Sequence, residues 1–63
     1  MTWAKLHAVV AEKEAAAPER RVTRIFYAGD DAPAMFHGRF SNAPVEARDA
    51  PGFQWNDGEI VNL

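Results

Sequence analysis

Two groups of side chains in this 63-residue chain are candidates for binding a metal ion. Asp30 and Asp31 stand together after Gly29, and adjacent carboxylates of this kind can ligate Mg²⁺ or Ca²⁺. His7 and His37 are the only histidines, and together with a carboxylate they could form a metal site. However, no calcium-loop spacing is present, and the histidine spacing matches no ligand motif. We therefore expect a solvated turn and two surface histidines, with no metal site and no cofactor.

The sequence offers few candidate residues for nucleophilic catalysis. Ser41 is the only serine, and it stands in a predicted turn without a nucleophile-elbow motif. The chain has no cysteine, which excludes thiolate nucleophiles, disulfides, zinc fingers and iron–sulfur clusters. A general acid–base pair needs a cleft that shifts a pKa, and so short a chain has little room for one. The sequence thus predicts that the protein is not an enzyme.

Arginines interleaved with aromatic residues indicate a binding function. Residues 20–48 contain five arginines and three acidic residues, whereas residues 49–63 contain three acidic residues and no base. A sheet surface of this type can stack bases and hold phosphates of single-stranded nucleic acid. The net charge is −2, and phosphate contacts dominate such binding, so nucleic acid is the weaker alternative. The same residue types enrich the centres of protein interfaces, where Trp3 and Trp55 are further candidate anchors if they are exposed.

Length and composition limit the organisation to one small domain over residues 1–63. Hydrophobic residues make up 48% of the chain, and many of them are alanine, so they supply one core and not two. There is no run of about 18 apolar residues, and we expect no membrane span. We also expect no export signal, because charged residues interrupt the N-terminal apolar run. The expected location is the cytoplasm.

Hydrophobic spacing predicts one N-terminal helix. Trp3, Leu6 and Val10 fall on one side of a helix over residues 2–17, with Thr2 as its N-cap. Pro18 is the expected stop, because proline cannot continue a helix. The alternative is that Pro18 begins a second short helix, so residues 18–21 remain open between coil and helix.

The rest of the chain predicts short strands, because β-branched and aromatic residues alternate with turn residues. The strands are expected at residues 21–28, 34–40, 45–48, 53–56 and 59–61. Asp57-Gly58 is the strongest hairpin signal in the chain. The predicted fold is therefore α+β, with the helix packed on a small antiparallel β-sheet, a meander of four or five short strands.

Alternation of strand side chains sorts this sheet into two faces. Thr23, Ile25, Tyr27 and Phe36 are expected to face the helix. The opposite face, called the outer face below, is expected to mix apolar bulk with cationic groups: Arg24, Phe26, Met35, His37, Arg39 and Arg48. Nothing else in so short a chain remains to cover it, which is typical of a partner site or of half an oligomer interface. The alternative is that Phe26 lies inside and the arginines are solvated.

The sequence therefore predicts a small, non-catalytic protein-binding module. We expect an accessory or inhibitor protein that occludes the surface of a larger protein, whose identity the sequence does not give. A homodimer is an open alternative, because a domain of this size without disulfides is only marginally stable alone. The alternative function is binding of single-stranded nucleic acid through Arg24, Phe26, His37 and Arg39.

Overall fold

The computed structural model describes residues 1–38 and 42–63, and it contains one helix and five strands. The elements are α1 (Trp3–Ala15), β1 (Val22–Phe26), β2 (Met35–His37), β3 (Asn42–Glu46), β4 (Gly52–Trp55) and β5 (Ile60–Asn62). The predicted α+β class, with one N-terminal helix and a small sheet, is confirmed. The predictions that concern Arg39, Phe40 and Ser41 lie outside the described residues. Within the described part, no helix is long and apolar enough to cross a membrane.

Helix α1 begins as predicted and ends slightly earlier. Thr2 is the N-cap, and its hydroxyl oxygen accepts a backbone hydrogen bond from the first turn at 3.3 Å. The last helical residue is Ala15, and the Arg20 N–H donates to the Ala17 carbonyl. Residues 17–20 therefore form a turn around Pro18, and the second short helix is not formed.

The strand order is β2-β3-β1-β4-β5, which corrects the predicted meander. β1 and β3 are parallel neighbours, whereas the β1–β4, β2–β3 and β4–β5 pairs are antiparallel. The chain leaves β1, forms β2 at one edge of the sheet, and returns through β3 to lie between them. Turn residues show where a strand ends, but they do not specify which strand the next one joins.

β3 begins three residues before the strand that the sequence predicts at residues 45–48, and it ends at Glu46. Residues 42–44 pair with β2. The Val45 N–H donates to the Ala34 carbonyl, so the nitrogen of the preceding Pro44 faces β1. The pairing of β3 with β1 covers Val45 and Glu46, so the missing N–H of Pro44 falls outside it.

An irregularity in β1 moves one residue that was expected in the core. The register against β4 shifts between Val22 and Arg24. As a result Val22 is buried at 1% exposure, while Thr23, expected to face the helix, is exposed. Beyond the shift Ile25 is buried in the core as predicted.

The core lies between α1 and one face of the sheet. Its buried members are Leu6, Val10, Val22, Ile25, Tyr27, Phe36, Ala43, Phe53 and Trp55. Glu14 follows Val10 by about one turn and is also buried, at 2% exposure. Its Oε2 accepts a hydrogen bond from the Val22 N–H at 3.3 Å. This carboxylate therefore ties the end of the helix to the start of β1.

The hairpin predicted by Asp57-Gly58 joins β4 to β5. The Trp55 N–H donates to the Glu59 carbonyl at 2.8 Å, which closes the loop. Gly58 has a φ of 96°, a conformation that glycine adopts without steric cost. The hairpin therefore depends on glycine at this position.

We expect Ile25→Ala to lower the free energy of unfolding by about 2–5 kcal/mol, because Ile25 is fully buried and truncation leaves a cavity. Ile60→Ala is the matched control, since Ile60 is 48% exposed and loses the same atoms. The control should cost less than about 1 kcal/mol. Urea unfolding of both variants measures the difference, and equal losses would contradict this placement of the core.

Candidate functional site

The register of the sheet decides which β1 residues reach the outer face. Residues directly opposite each other on neighbouring strands share a face. Ile25 pairs with Val45 on one side and with Phe53 on the other, and Ile25 and Phe53 belong to the core. Arg24 and Phe26 therefore project from the opposite face, as the sequence predicts.

The same alternation holds in β2. Phe36 is buried in the core, while Met35 and His37 on either side of it are exposed on the outer face. Arg48 follows β3 and reaches this face from the loop before β4, because its guanidinium lies over Phe26. Five of the six candidate residues thus lie on or over one face, and Arg39 falls outside the described residues.

Phe26 is not the open apolar surface that the sequence suggests. It is only 8% exposed, and the Arg48 guanidinium carbon lies 4.0 Å from the centroid of its ring. Arg48 Nε donates to the Ala50 carbonyl at 2.7 Å, and Arg48 Nη2 donates to Asn62 Oδ1 at 2.9 Å. Phe26 therefore lies on the predicted face, but a fixed arginine covers it.

Gly52 makes room for this arginine. It is the β4 partner of Phe26 and is buried. A Cβ at this position would lie 3.1 Å from Arg48 Nη2 and would collide with the Val61 carbonyl oxygen. The close approach of side chain and backbone therefore requires glycine here.

The two arginines of the described outer face differ in their partners. Arg24 Nε lies 2.8 Å from Glu46 Oε2, and both side chains are about half-exposed, so the pair is close to neutral. Such an exposed pair contributes less than about 1 kcal/mol. Arg48 has only neutral partners, since no described carboxylate lies within ion-pair distance of it. Arg48 therefore carries the unneutralised positive charge of the described outer face.

Exposed apolar side chains stand at both margins of the outer face. Met35 on β2 is 40% exposed, and Ile60 on β5 is 48% exposed. The pairing register places Met35 opposite Pro44 at the β2 margin, and it places Arg24, Gln54 and Ile60 in one row across β1, β4 and β5. The outer face thus has exposed apolar side chains at its margins and polar side chains between them.

The sheet separates the two histidines. His37 Nδ1 lies 2.9 Å from Asn42 Oδ1 on the outer face. His7 is on α1, and its ring centroid lies 5.0 Å from that of Phe36, which belongs to the core. Within residues 1–38 and 42–63, no three His, Asp, Glu or Cys side chains gather closely enough to hold a metal ion.

Asp31, one of the two candidate metal-binding carboxylates, instead stabilises the start of the helix. Its Oδ2 accepts a hydrogen bond from the Trp3 N–H at 3.0 Å, and its Oδ1 accepts one from the Tyr27 hydroxyl at 2.6 Å. The Tyr27 hydrogen bond, followed by the Trp3 N–H, holds the pKa of Asp31 below its ordinary value. The same hydrogen bond raises the pKa of Tyr27. A carboxylate at a helix N-terminus is stabilising because of the helix dipole.

Neither tryptophan is an open anchor. Trp55 is 4% exposed, and the Arg20 guanidinium carbon lies 4.4 Å from its ring centroid. Arg20 also bridges Asp57 and Glu59, at 2.9 Å and 2.6 Å. Trp3 is half-buried, with its ring centroid 5.7 Å from that of Tyr27. Both tryptophans therefore serve the core.

No protein-family model matches this chain, and no curated protein or solved structure matches it either.

Sequence reasoning missed the residues that surround Arg48. Gly52 and Asn62 lie under and beside its guanidinium, and Ile60 completes the exposed margin at β5. The signal available in the sequence was the alternation of β4 and β5, which places all three on the face opposite Phe53. That signal becomes usable only when the pairing of β4 with β1 and β5 is known.

We expect Asp31→Asn to lower the denaturation midpoint at neutral pH, because two hydrogen bonds lose a charged acceptor. Since the pKa of Asp31 is lowered on folding, its stabilising effect is present above its unfolded-state pKa, ordinarily 3.8. The effect is lost as pH falls through the folded-state pKa. The variant should therefore lose less stability than the parent on acidification. Asp30→Asn, in the same loop, is the control, and identical acid profiles for Asp31→Asn and the parent would contradict this role.

Proposed function

We propose that this chain is a non-catalytic protein-binding module that docks a partner protein against its outer face. The observation that carries the proposal is an open sheet face. α1 covers one side of the five strands, and no described element covers the other. On this open side Met35 and Ile60 stay exposed at opposite margins.

The composition of the outer face suits an interface better than a solvated surface. Arginine and methionine are enriched in interface centres, and apolar side chains of this size are costly to leave in water. Arg24 and Arg48 are held by Glu46 and by Phe26 with Asn62, so they need little further ordering on binding. A partner would therefore meet a preformed surface.

An occluding role fits the shape of this surface. A surface depression of about 420 Å³ lies at the end of the helix and is lined mostly by polar side chains: Pro18, Glu19, Arg21 and Asn56. Its described lining brings together no nucleophile with a base, whereas the outer face offers a sheet surface that no described element covers. We infer an accessory or inhibitor protein that covers the surface of a larger protein. The chain has no cysteine and needs no oxidising compartment, which supports the cytoplasm as its location.

Single-stranded nucleic acid remains the alternative function, and the geometry supports it less well. Base stacking needs exposed aromatic rings, but Phe26 lies under Arg48 and Trp55 lies under Arg20. Arg24 is neutralised by Glu46. Few free cations and few open rings therefore remain for phosphates and bases among the described residues.

The docking surface is tested by cross-linking from defined positions, which the absence of cysteine allows. Met35→Cys carrying a photoreactive maleimide label should give a cross-linked partner in native lysate, because Met35 is exposed on the outer face. Glu12→Cys, exposed on α1, is the matched control and should give much less. In a pull-down with the unlabelled chain, Met35→Glu should abolish capture of that partner, while Ala8→Glu, the same new charge on the helix, should not. Equal cross-linking from both positions would contradict docking of a partner at the outer face.

We expect no binding to a fluorescent single-stranded oligonucleotide in anisotropy at low ionic strength, because Phe26 and Trp55 lie under arginines and Arg24 is paired with Glu46. Binding that weakens steeply with added salt would instead favour the nucleic-acid function. A basic single-strand-binding protein serves as the positive control.

A further inference from the structure

β5 is an edge strand with open backbone groups. The Leu63 N–H donates to the Pro51 carbonyl, and the Trp55 N–H donates to the Glu59 carbonyl. Hydrogen-bonding direction alternates along a strand, so the N–H and C=O groups of Ile60 and Asn62 point away from β4. No described strand pairs with that side. β5 also lacks the lysine, proline or bulge with which edge strands commonly avoid pairing.

Arg48 stands next to this edge. Its Nη2 donates to Oδ1 of Asn62, which belongs to β5. The stack on Phe26 and the hydrogen bond to the Ala50 carbonyl hold the guanidinium in place. A strand added beside β5 would lie about 4.8 Å away. A side chain opposite Asn62 would then share the outer face with Arg48 and lie within reach of it.

The acidic groups of the hairpin do not oppose this arrangement. Asp57 and Glu59 are bridged by Arg20, which lies over Trp55 on the core side of the sheet. The outer side near Asn62 therefore keeps the positive charge of Arg48, with no described carboxylate paired to it.

We propose that β5 binds an extended acidic segment of the partner protein as an additional antiparallel strand. An aspartate or glutamate opposite Asn62 pairs with Arg48, and an apolar residue two positions later packs beside Ile60. This inference rests on the proposed function and specifies the chemistry of the partner. Main-chain hydrogen bonds supply affinity, and the two side chains supply selectivity.

A second copy of this chain is a poorer occupant of the same edge. In the antiparallel register centred on Val61, Ile60 of one copy faces Asn62 of the other. Such a pair satisfies the open backbone groups but brings no carboxylate to Arg48. The charge of Arg48 therefore favours an acidic segment over self-pairing.

The test uses a fluorescein-labelled peptide, Thr-Asp-Thr-Ile-Thr, with blocked ends and the full chain. Its aspartate should lie opposite Asn62 and its isoleucine opposite Ile60. Replacing aspartate by asparagine should weaken binding about five- to tenfold in anisotropy, because a charge-assisted hydrogen bond is lost. N-methylation of the aspartate amide should abolish binding, whereas N-methylation of the central threonine should not, since that amide points away from β5.

Arg48→Gln should weaken binding of the aspartate peptide by the same factor. It should leave binding of the asparagine peptide unchanged. Arg21→Gln, an exposed arginine outside the outer face, is the matched control and should change neither. The proposal is overturned if the aspartate and asparagine peptides bind equally to the unmodified chain, or if the aspartate peptide does not bind. Those results would not affect cross-linking from position 35, which tests docking at the outer face. Failure of this inference is therefore distinguishable from failure of the proposed function. If sedimentation shows that the chain forms dimers and that dimerisation prevents peptide binding, the β5 edge binds a second copy. That result would also overturn the proposal.

Discussion

A single helix can cover only one face of a five-stranded sheet, and the rest of this structure follows from that constraint. Helix α1 has 13 residues, and its buried side chains pack against one face of the sheet. All the large core residues therefore project to one side. The other side must be stabilised by its own side chains or by a partner. Arg48 covers Phe26 on this side, whereas Met35 and Ile60 stay exposed there.

The parallel pairing of β1 with β3 makes the Arg48 stack possible. Because β3 lies beside β1, the chain leaves β3 next to Phe26, and Arg48 folds back over its ring before β4 begins. In a meander β3 would lie farther from β1, and Phe26 would lose this cover. The crossover also leaves β2 and β5 as the edges of the sheet. The topology thus both protects the centre of the outer face and exposes its margins.

Charge is divided between the two faces of the sheet. Arg20 neutralises the acidic hairpin on the core side, and Glu46 neutralises Arg24 on the outer side. Arg48 is left with neutral partners at the β5 margin. A net charge of −2 for the chain therefore does not describe the local surface, which is cationic where the strand edge is open. This local difference is the physical basis for an acidic partner.

Local sequence signals determined the helix, its Thr2 cap, the Asp57-Gly58 hairpin and the face on which Arg24, Met35 and His37 lie. These features depend on neighbouring residues, on a period of two or 3.6, or on one turn. The tertiary structure alone decided the strand order, the burial of Phe26 under Arg48 and the contact of Asp31 with Trp3. Each of these joins residues distant in sequence, and their pairing depends on how the whole sheet assembles rather than on the preference of any segment.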